Sequence, residues 1–466
     1  MTERYWIETL GCPKNRVDSD KLVGTLVADG LQAAGAPGEA DLVVVNTCAF
    51  IDAAREESIE TVLALSEVRR PGAKLVVTGC MAERYREELV DALPEVDLVA
   101  PFGTALTSVG PSRTGIPVTL GSKPSSRGLR PVPSFDLLNL PRPPATAPWS
   151  YVKVAEGCDR SCGFCAIPSF RGKQRSRTRQ SILDEVEQLA GPDGALREVV
   201  LVAQDLASFG LDRGAGSGRS RPTGGMSGWT RPIVELVAAV AQRVPWTRLL
   251  YLYPSALDDA LVDAVLATGV PYFDLSLQHV SRPLVRRMRR WGDGDRFLDR
   301  IHSIRSSEPA AAFRSSFIVG YPGETEADHD RLLEWIDEAR LDWVGFFPFS
   351  LEQGTYAADL DCQVPAELMA ERLRECSERQ DAVTARRRDE LIGTTVEVLV
   401  DGPGEGRTYR EAPEIDGVVS LPDDLPVGSF VRVLVTGADG PDLIADPIEA
   451  AGPTTPRSQP VPVGVR

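Results

Sequence analysis

Residues 157–172 read GCDRSCGFCAIPSFRG and follow directly on the strand-like run Tyr151–Val154. Cys158, Cys162 and Cys165 therefore stand in a C-x3-C-x2-C spacing on a glycine-punctuated loop at a strand end. A tetrahedral zinc site wants a fourth protein ligand, and the neighbouring sequence supplies no further Cys and no His. Three thiolates point instead to an iron–sulfur cluster with one iron left free of protein ligation. Buried free cysteine as a small hydrophobe is an ordinary alternative, but three within eight residues on one loop argue against it.

Upstream, three further β-type runs each hand the chain to a cysteine. The alternation from Tyr5 ends at Gly11 and Cys12; Asp41–Val45 ends in Asn46, Thr47 and Cys48; Lys74–Val77 ends in Thr78, Gly79 and Cys80. Helical patterns intervene at Val17–Ala28, closed by Gly30, at about Ala53–Val68, and from Ala82 onward. In an open parallel sheet the residues just past the strand ends gather along one edge, where such folds bind ligands. Any one of these cysteines alone reads as a structural thiol. Together Cys12, Cys48 and Cys80 predict a second iron–sulfur cluster.

The stretch from about Gly110 to Pro148 is rich in Pro, Ser, Gly and Arg and reads as an extended linker with no core of its own. From Tyr151 strands and helices alternate six times, with strands expected at Tyr151–Ala155, Glu198–Ala203, Arg248–Tyr253, Tyr272–Leu277, Phe313–Val319 and Trp343–Phe349. Repeated right-handed βα units build a barrel or part of one. Leu211–Pro232 interrupts one unit and reads as a mobile insertion. A last helix over about Pro365–Leu391 precedes short strands at Thr395–Val400, Gly417–Ser420 and Phe430–Val435, the pattern of a small antiparallel OB-like barrel. The fold class is thus α/β: an open parallel sheet domain over 1–115, a linker over 116–148, a partial (β/α)6 TIM-like barrel over 149–385, a β-barrel over 386–452 and a disordered tail over 453–466.

A chain of 466 residues with a formal charge of −16 opposes generic nucleic-acid binding, which depends on Lys and Arg displacing counterions, and favours a basic partner. Acids crowd the last unit at Glu397, Asp401, Glu405, Glu411, Glu414, Asp416, Asp423, Asp424, Asp439, Asp442 and Asp446, against few basic residues, Arg407, Arg410 and Arg432 among them. A strongly basic protein suits such a surface by complementary charge. Eight cysteines in a chain opening MTERYWIETLG, without a signal-peptide pattern or a spanning run, predict a cytoplasmic protein using thiols for metal or redox chemistry.

The loop AEGCDRSCGFCAIPSFRG resembles the cluster loop of radical S-adenosylmethionine (SAM) enzymes, GCPKNRVDSD and VNTCAFID resemble the N-terminal domain of the methylthiotransferases, and the terminal barrel sits where that family carries its TRAM domain. With YFDLSLQHVS and FIVGYPGET the resemblance covers nearly the whole chain. It implies an open six-unit barrel, two [4Fe–4S] clusters and SAM as cofactors, Phe164 beside the adenine, Gly320, Pro322 and Gly323 as the glycine-rich cofactor segment, and Gln204 near the methionine part. Gln204 and Asp205 stand where the commoner family text is Gly-Gly-Glu. The implied activity attaches a methylthio group to the β-carbon of an aspartate in ribosomal protein S12, free or on the ribosome. SAM bound at the cluster on Cys158, Cys162 and Cys165 would yield a 5′-deoxyadenosyl radical that takes the hydrogen, and the other cluster would present methylated sulfur. An electron donor and a sulfur donor are then needed, and neither a membrane nor sequence-specific nucleic-acid binding is expected. The alternatives are a tRNA adenosine methylthiotransferase of the same architecture, disfavoured by the acidic last unit and the CPKN wording, and a two-cluster electron carrier or redox sensor.

Other features read more plainly. Most of the run Arg171, Lys173, Arg175, Arg177 and Arg179 is expected to be a solvated basic edge, and Arg286, Arg287, Arg289 and Arg290 a helix face. His279 reads as a core or rim histidine, Glu324 as an acid favourable at a helix start, and Cys362 and Cys376 as incidental thiols.

Overall fold

The computed structural model describes residues 2–106, 137–192, 194–214 and 231–448. Its first unit contains strands β1 (Arg4–Thr9), β2 (Gln32–Ala33), β3 (Leu42–Thr47), β4 (Lys74–Gly79) and β5 (Leu98–Ala100), with helices α1 (Pro13–Ala28), α2 (Asp52–Val68), α3 (Cys80–Arg84) and α4 (Arg86–Ala92). The strands are parallel in the order β2-β1-β3-β4-β5. LVVVNT of β3 is buried at every position, as a β-branched run covered on both faces must be. Thr9 pairs with Asn46 and Thr47 with Gly79, so β1, β3 and β4 end level at one edge. With this strand order the crevice outside the strand ends lies between β1 and β3.

Residues 107–136, which include the first part of the expected linker, lie outside the described residues, but the chain is anchored from Leu137 onward. Leu137 and Leu138 are buried in a 3-10 turn, and the fully buried Lys21 of α1 donates to the Leu138 and Leu140 carbonyls at 3.1 and 3.0 Å. Lys21 also pairs with Glu185 at 3.1 Å. A buried ammonium needs such partners, so this part is pinned in place, contrary to its proline-rich wording.

The middle unit runs through β6 (Trp149–Lys153), β7 (Ala155–Glu156), helix α5 (Ile167–Phe170), β8 (Arg175–Ser176), α6 (Arg179–Ala190), β9 (Glu198–Val202), α7 (Pro232–Ala241), β10 (Trp246–Leu249), α8 (Asp259–Leu266), β11 (Tyr272–Gln278), α9 (Arg282–Arg287), α10 (Gly294–Ser307), β12 (Ala312–Val319), α11 (Glu326–Ala339), β13 (Trp343–Pro348) and α12 (Ala366–Asp389). Parallel sheets β6-β9-β10 and β11-β12-β13 meet through a Leu252–Leu275 bridge, while β6 and β13 do not pair. The result is an open barrel of parallel strands in chain order. Its helices pack outside it on a core that includes Ile182, Val237, Leu261, Ile301 and Trp335. Most of the expected insertion, residues 215–230, lies outside the described residues, as does the tail beyond 448.

The last unit is a closed barrel of β14 (Thr395–Gly402), β15 (Glu405–Arg407), β16 (Val419–Ser420), β17 (Phe430–Asp439) and β18 (Asp442–Pro447), in the order β14-β15-β16-β18-β17. β15 and β18 were not expected, because EGR and DLIADP give little alternation to read.

Both neighbours close the open barrel. Val17 of α1 packs into the interior cluster with Tyr151, Val200 and Leu250, and Leu399 and Ala412 of the last unit join the same cluster. At the N-terminal strand ends the buried Glu198 pairs with Arg248 at 2.6 Å and Arg407 at 2.7 Å. Asp416 accepts from Tyr272 Oη at 2.6 Å and pairs with Arg314 at 3.2 Å, Glu411 pairs with Arg388 at 2.5 Å, and Asp401 with Arg407 at 2.6 Å. These three acids are therefore interface groups that answer buried arginines, a correction to their place in the acidic surface.

Burial opposes ionisation of Glu198, but Arg248 and Arg407 outweigh it and hold its pKa below the usual glutamate value. Glu198→Gln leaves two buried guanidinium groups short of counter-charge and is expected to cost about 3–5 kcal/mol in urea denaturation at neutral pH. The gap to wild type should stay constant above the ordinary glutamate pKa of about 4.3 and narrow as pH falls below it.

Candidate active site

The cysteine loop leaves β7 at the C-terminal end of the barrel. Cys158 N donates to the Gly172 carbonyl at 3.1 Å, closing the loop at its base, and Gly157 takes φ +77 where a Cβ would strike that carbonyl at 2.6 Å. Gly163 donates to Met288 O at 2.8 Å, and its own carbonyl accepts from Ala357 N at 2.8 Å. The loop thus has a fixed seat. Burial, with Asp205 and Cys162 adding to it, pushes Cys158 up to about 11; burial, with Cys162 and Cys158, pushes Cys165 up to about 12. Thiols so reluctant to ionise become thiolates when a metal supplies positive charge.

Around this loop the structure places the residues expected to meet a cofactor. Phe164 packs with Leu284, Met288, Tyr321 and Phe349. Gln204 Nε2 donates to Glu156 Oε1 at 2.8 Å, and its buried Oε1 has no partner among the described residues. The turn Gly320–Gly323 is held from within: Gly320 N donates to Glu324 Oε2 at 2.7 Å, and Gly323 N to Cys362 O at 2.8 Å. Gly320 takes φ +79, and a Cβ there would lie 2.5 Å from Met369 Sδ, so packing against α12 already demands glycine. Glu324, buried and paired with Arg372 at 3.0 Å, ties the turn together rather than starting the helix, whose N-cap is Thr325 and whose first-turn acids are Glu326 and Asp328. His279 is fully buried, accepts from Ser281 N at 3.0 Å, and is pushed down to about 4, mainly by burial.

Cys12, Cys48 and Cys80 come together at the edge of the first sheet. Cys12 caps α1, Cys48 follows β3 and Cys80 opens α3. A Cβ on Gly11 would lie 2.8 Å from Cys48 Sγ, so the loop after β1 runs directly against that thiol. Asn15 organises the edge: its Nδ2 donates to the Leu10 and Thr47 carbonyls at 2.9 and 3.0 Å, and its Oδ1 accepts from Cys80 Sγ at 3.6 Å. One side chain thereby joins all three strand ends. Burial, then the neighbouring Cys12 and Cys80, pushes Cys48 up to about 12, and burial raises Cys80. For Cys12 burial is outweighed by Lys14, Arg171 and backbone N–H groups, and its pKa is lowered.

Arg171 joins the two cysteine sites. It follows α5, the short helix that leaves Cys165, and is buried rather than solvated. Its Nη2 donates to Cys80 Sγ at 3.0 Å and Asn15 Oδ1 at 2.8 Å, and its Nη1 pairs with Glu156 at 2.9 Å and Asp18 at 3.3 Å. Lys153, also fully buried, pairs with Asp18 and with Glu156 at 2.7 Å. Arg177 is buried on Glu185 at 2.5 Å, whereas Lys173 and Arg179 are exposed as expected. Arg290, expected on a helix face, donates to Cys162 Sγ at 3.2 Å and lies 4.2 Å from the Tyr253 ring centroid; Arg160 lies 3.9 Å from that centroid and pairs with Asp205 at 2.6 Å. Asn15, Asp18, Glu156 and Tyr253 were missed because their partners are remote in sequence. Asn15 and Asp18 stand one helical turn apart in GCPKNRVDSD, the one local signal of a shared face.

Among the described residues no three His, Cys, Asp or Glu converge closely enough to hold a single metal ion. Cluster ligation is a different demand, each cysteine taking its own iron, and the free thiols of Cys158, Cys162 and Cys165 are donors of the kind it uses. Residues 4–101 match the model of Uncharacterized protein family UPF0004, residues 152–336 the Radical SAM superfamily and residues 392–448 the TRAM domain. The chain is 38% identical over 484 residues to the ribosomal protein uS12 methylthiotransferase RimO of Cutibacterium acnes, covering 95% of this chain and 97% of that one. It is 40% identical over 443 residues to the RimO of Moorella thermoacetica, covering 93% and 96%. The chain belongs to the RimO family.

As a RimO-family protein it is a radical SAM methylthiotransferase, with SAM and a [4Fe–4S] cluster as cofactors of its middle unit. Among solved structures, the cobalamin-dependent S-adenosylmethionine radical enzyme OxsB aligns with a TM-score of 0.44 at 10% identity, over 82% of this chain and 56% of its own. Among the described residues no helix is long and apolar enough to cross a membrane.

In this RimO-family enzyme Arg171→Met should leave Lys153 to answer both Asp18 and Glu156 alone and destabilise the metal-free protein by about 3 kcal/mol in urea denaturation. Arg171→Lys should recover part of that loss, since a lysine keeps the charge but not the planar fork that reaches several partners at once.

Proposed function

We propose that Cys158, Cys162 and Cys165 hold the [4Fe–4S] cluster that binds SAM, that Cys12, Cys48 and Cys80 hold a second, and that the enzyme adds a methylthio group to the β-carbon of an aspartate in ribosomal protein uS12. The observation that carries this is Arg171, which touches Cys80 and, through Glu156 and Gln204, the strand end beside the Cys158 loop. Two separate electron-transfer sites would need no such link between them. When bound, SAM and its cluster supply one-electron chemistry able to remove a hydrogen from an unactivated carbon. The protein supplies placement: the loop seat at Gly163 fixes the first triad, Asn15 fixes the second, and α1 closes the barrel against water through Val17. Phe164, Gln204 and the turn containing Gly320, Pro322 and Gly323 are the groups we assign to SAM.

The functional units are 1–115, 149–385 and 386–452, with the connection over 116–148. An external electron donor and a sulfur donor complete the reaction. A basic ribosomal protein in the cytoplasm matches the exposed acids Glu397, Glu405, Glu414, Asp423, Asp424, Asp439 and Asp446 of the terminal barrel.

Iron and sulfide analysis tests the two sites. Reconstituted wild type should hold about eight irons, and alanine variants of either cysteine triad about four. With SAM, reductant and sulfide, the Cys12, Cys48 and Cys80 variant should still release 5′-deoxyadenosine but leave uS12 unmodified. Methylthiolated tRNA beside untouched uS12 would overturn the substrate.

A further inference from the structure

Lys14 lies in the first turn of α1, two positions after Cys12, and is 9% exposed. Its Nζ sits 3.4 Å from the centroid of the Tyr251 ring. Among the described residues no carboxylate comes within 4.0 Å of that nitrogen. The nearby acids are engaged elsewhere: Asp18 by Lys153 and Arg171, Asp274 by Arg314 at 3.4 Å and by the Tyr251 N–H at 2.9 Å. By contrast the buried Lys21, Lys153, Arg171 and Arg177 each have a carboxylate. A desolvated ammonium needs a counter-charge, and an aromatic face replaces only part of one.

The position of this unpaired cation is specific. Tyr251 holds φ +66, a conformation uncommon for a bulky residue and associated with functional sites. Two residues on, Tyr253 stacks on Arg160 and Arg290, and Arg290 reaches Cys162. Lys14 thus lies two residues from Cys12, and the strand end that carries its ring partner Tyr251 also carries Tyr253, the ring beside Arg290 and so near Cys162.

Resting on the uS12 reading, we propose that Lys14 is a specificity-determining residue that pairs with the carboxylate of the substrate aspartate. In aspartate the carboxylate is bonded directly to the β-carbon, so one ion pair at Lys14 fixes the carbon to be modified. A neutral nucleobase offers that ammonium no counter-charge.

The test uses reconstituted full-length enzyme and purified uS12 carrying either the target aspartate or asparagine, with binding read by fluorescence anisotropy. Wild type should prefer the aspartate form by about tenfold, the worth of one charge-assisted contact. Lys14→Met should abolish that preference by weakening only the aspartate form, and Lys14→Arg should keep most of it, with SAM affinity and iron content unchanged in both. Equal weakening of both uS12 forms, or a loss confined to SAM affinity or iron content, would overturn the pairing. Wild type that binds neither form would instead sink the substrate reading, and the pairing with it.

Discussion

Asp18, Lys153, Glu156 and Arg171 form a network of opposite charges buried where the first sheet meets the open barrel. Burying such groups is costly, and hydrophobic replacements of similar volume often give equal or greater stability. What apolar side chains would not supply is direction. Arg171 has a fork that must satisfy Asn15, Cys80, Glu156 and Asp18 together, and only one placement of α1 against β6 and β7 does so. Registry between two cysteine triads is thereby written into hydrogen-bond geometry.

The same logic recurs at the opposite end of the barrel. Glu198 takes Arg248 from its own sheet and Arg407 from the terminal barrel, while Arg314 takes Asp274 and Asp416. A line of polar pairs therefore runs through the barrel interior from Asp416 to Asp274, whose other oxygen holds the Tyr251 backbone. The terminal barrel is in this sense a structural floor as well as an acidic surface, and the strained Tyr251 is supported from below by it.

Much of this was legible in the sequence for a definite reason. Cys12, Cys48 and Cys80 each follow a run whose strand character depends on local pattern, and parallel strands ending level bring them together without further information. The Cys158 loop was legible because its ligands are close in sequence. Arg171 was not, since its partners Asn15 and Cys80 lie 156 and 91 residues away, and a row of alternating basic residues looks the same whether solvated or buried. Asp401, Glu411 and Asp416 were counted as surface for the same reason: composition records charge but not where its counter-charge sits. β15 and β18 close a barrel whose need for closure is global, so their own residues had little to announce it.

Both α/β units present their ligand-bearing loops at the C-terminal ends of parallel strands. Two such edges can cooperate only if they face each other, and α1 is the element that makes them do so. Its N-terminus carries Cys12 and Lys14, its second turn delivers Val17 to the barrel interior and Asp18 to Arg171, and its third holds Lys21 against the returning chain. A helix whose buried residues include Lys14, Asn15, Asp18, Ser19 and Lys21 is poorly built for an ordinary apolar core. It is well built for an interface in which Asn15, Asp18, Ser19 and Lys21 each find a partner inside the protein. Lys14 differs from them: among the described residues its ammonium meets the Tyr251 ring and no carboxylate within 4.0 Å.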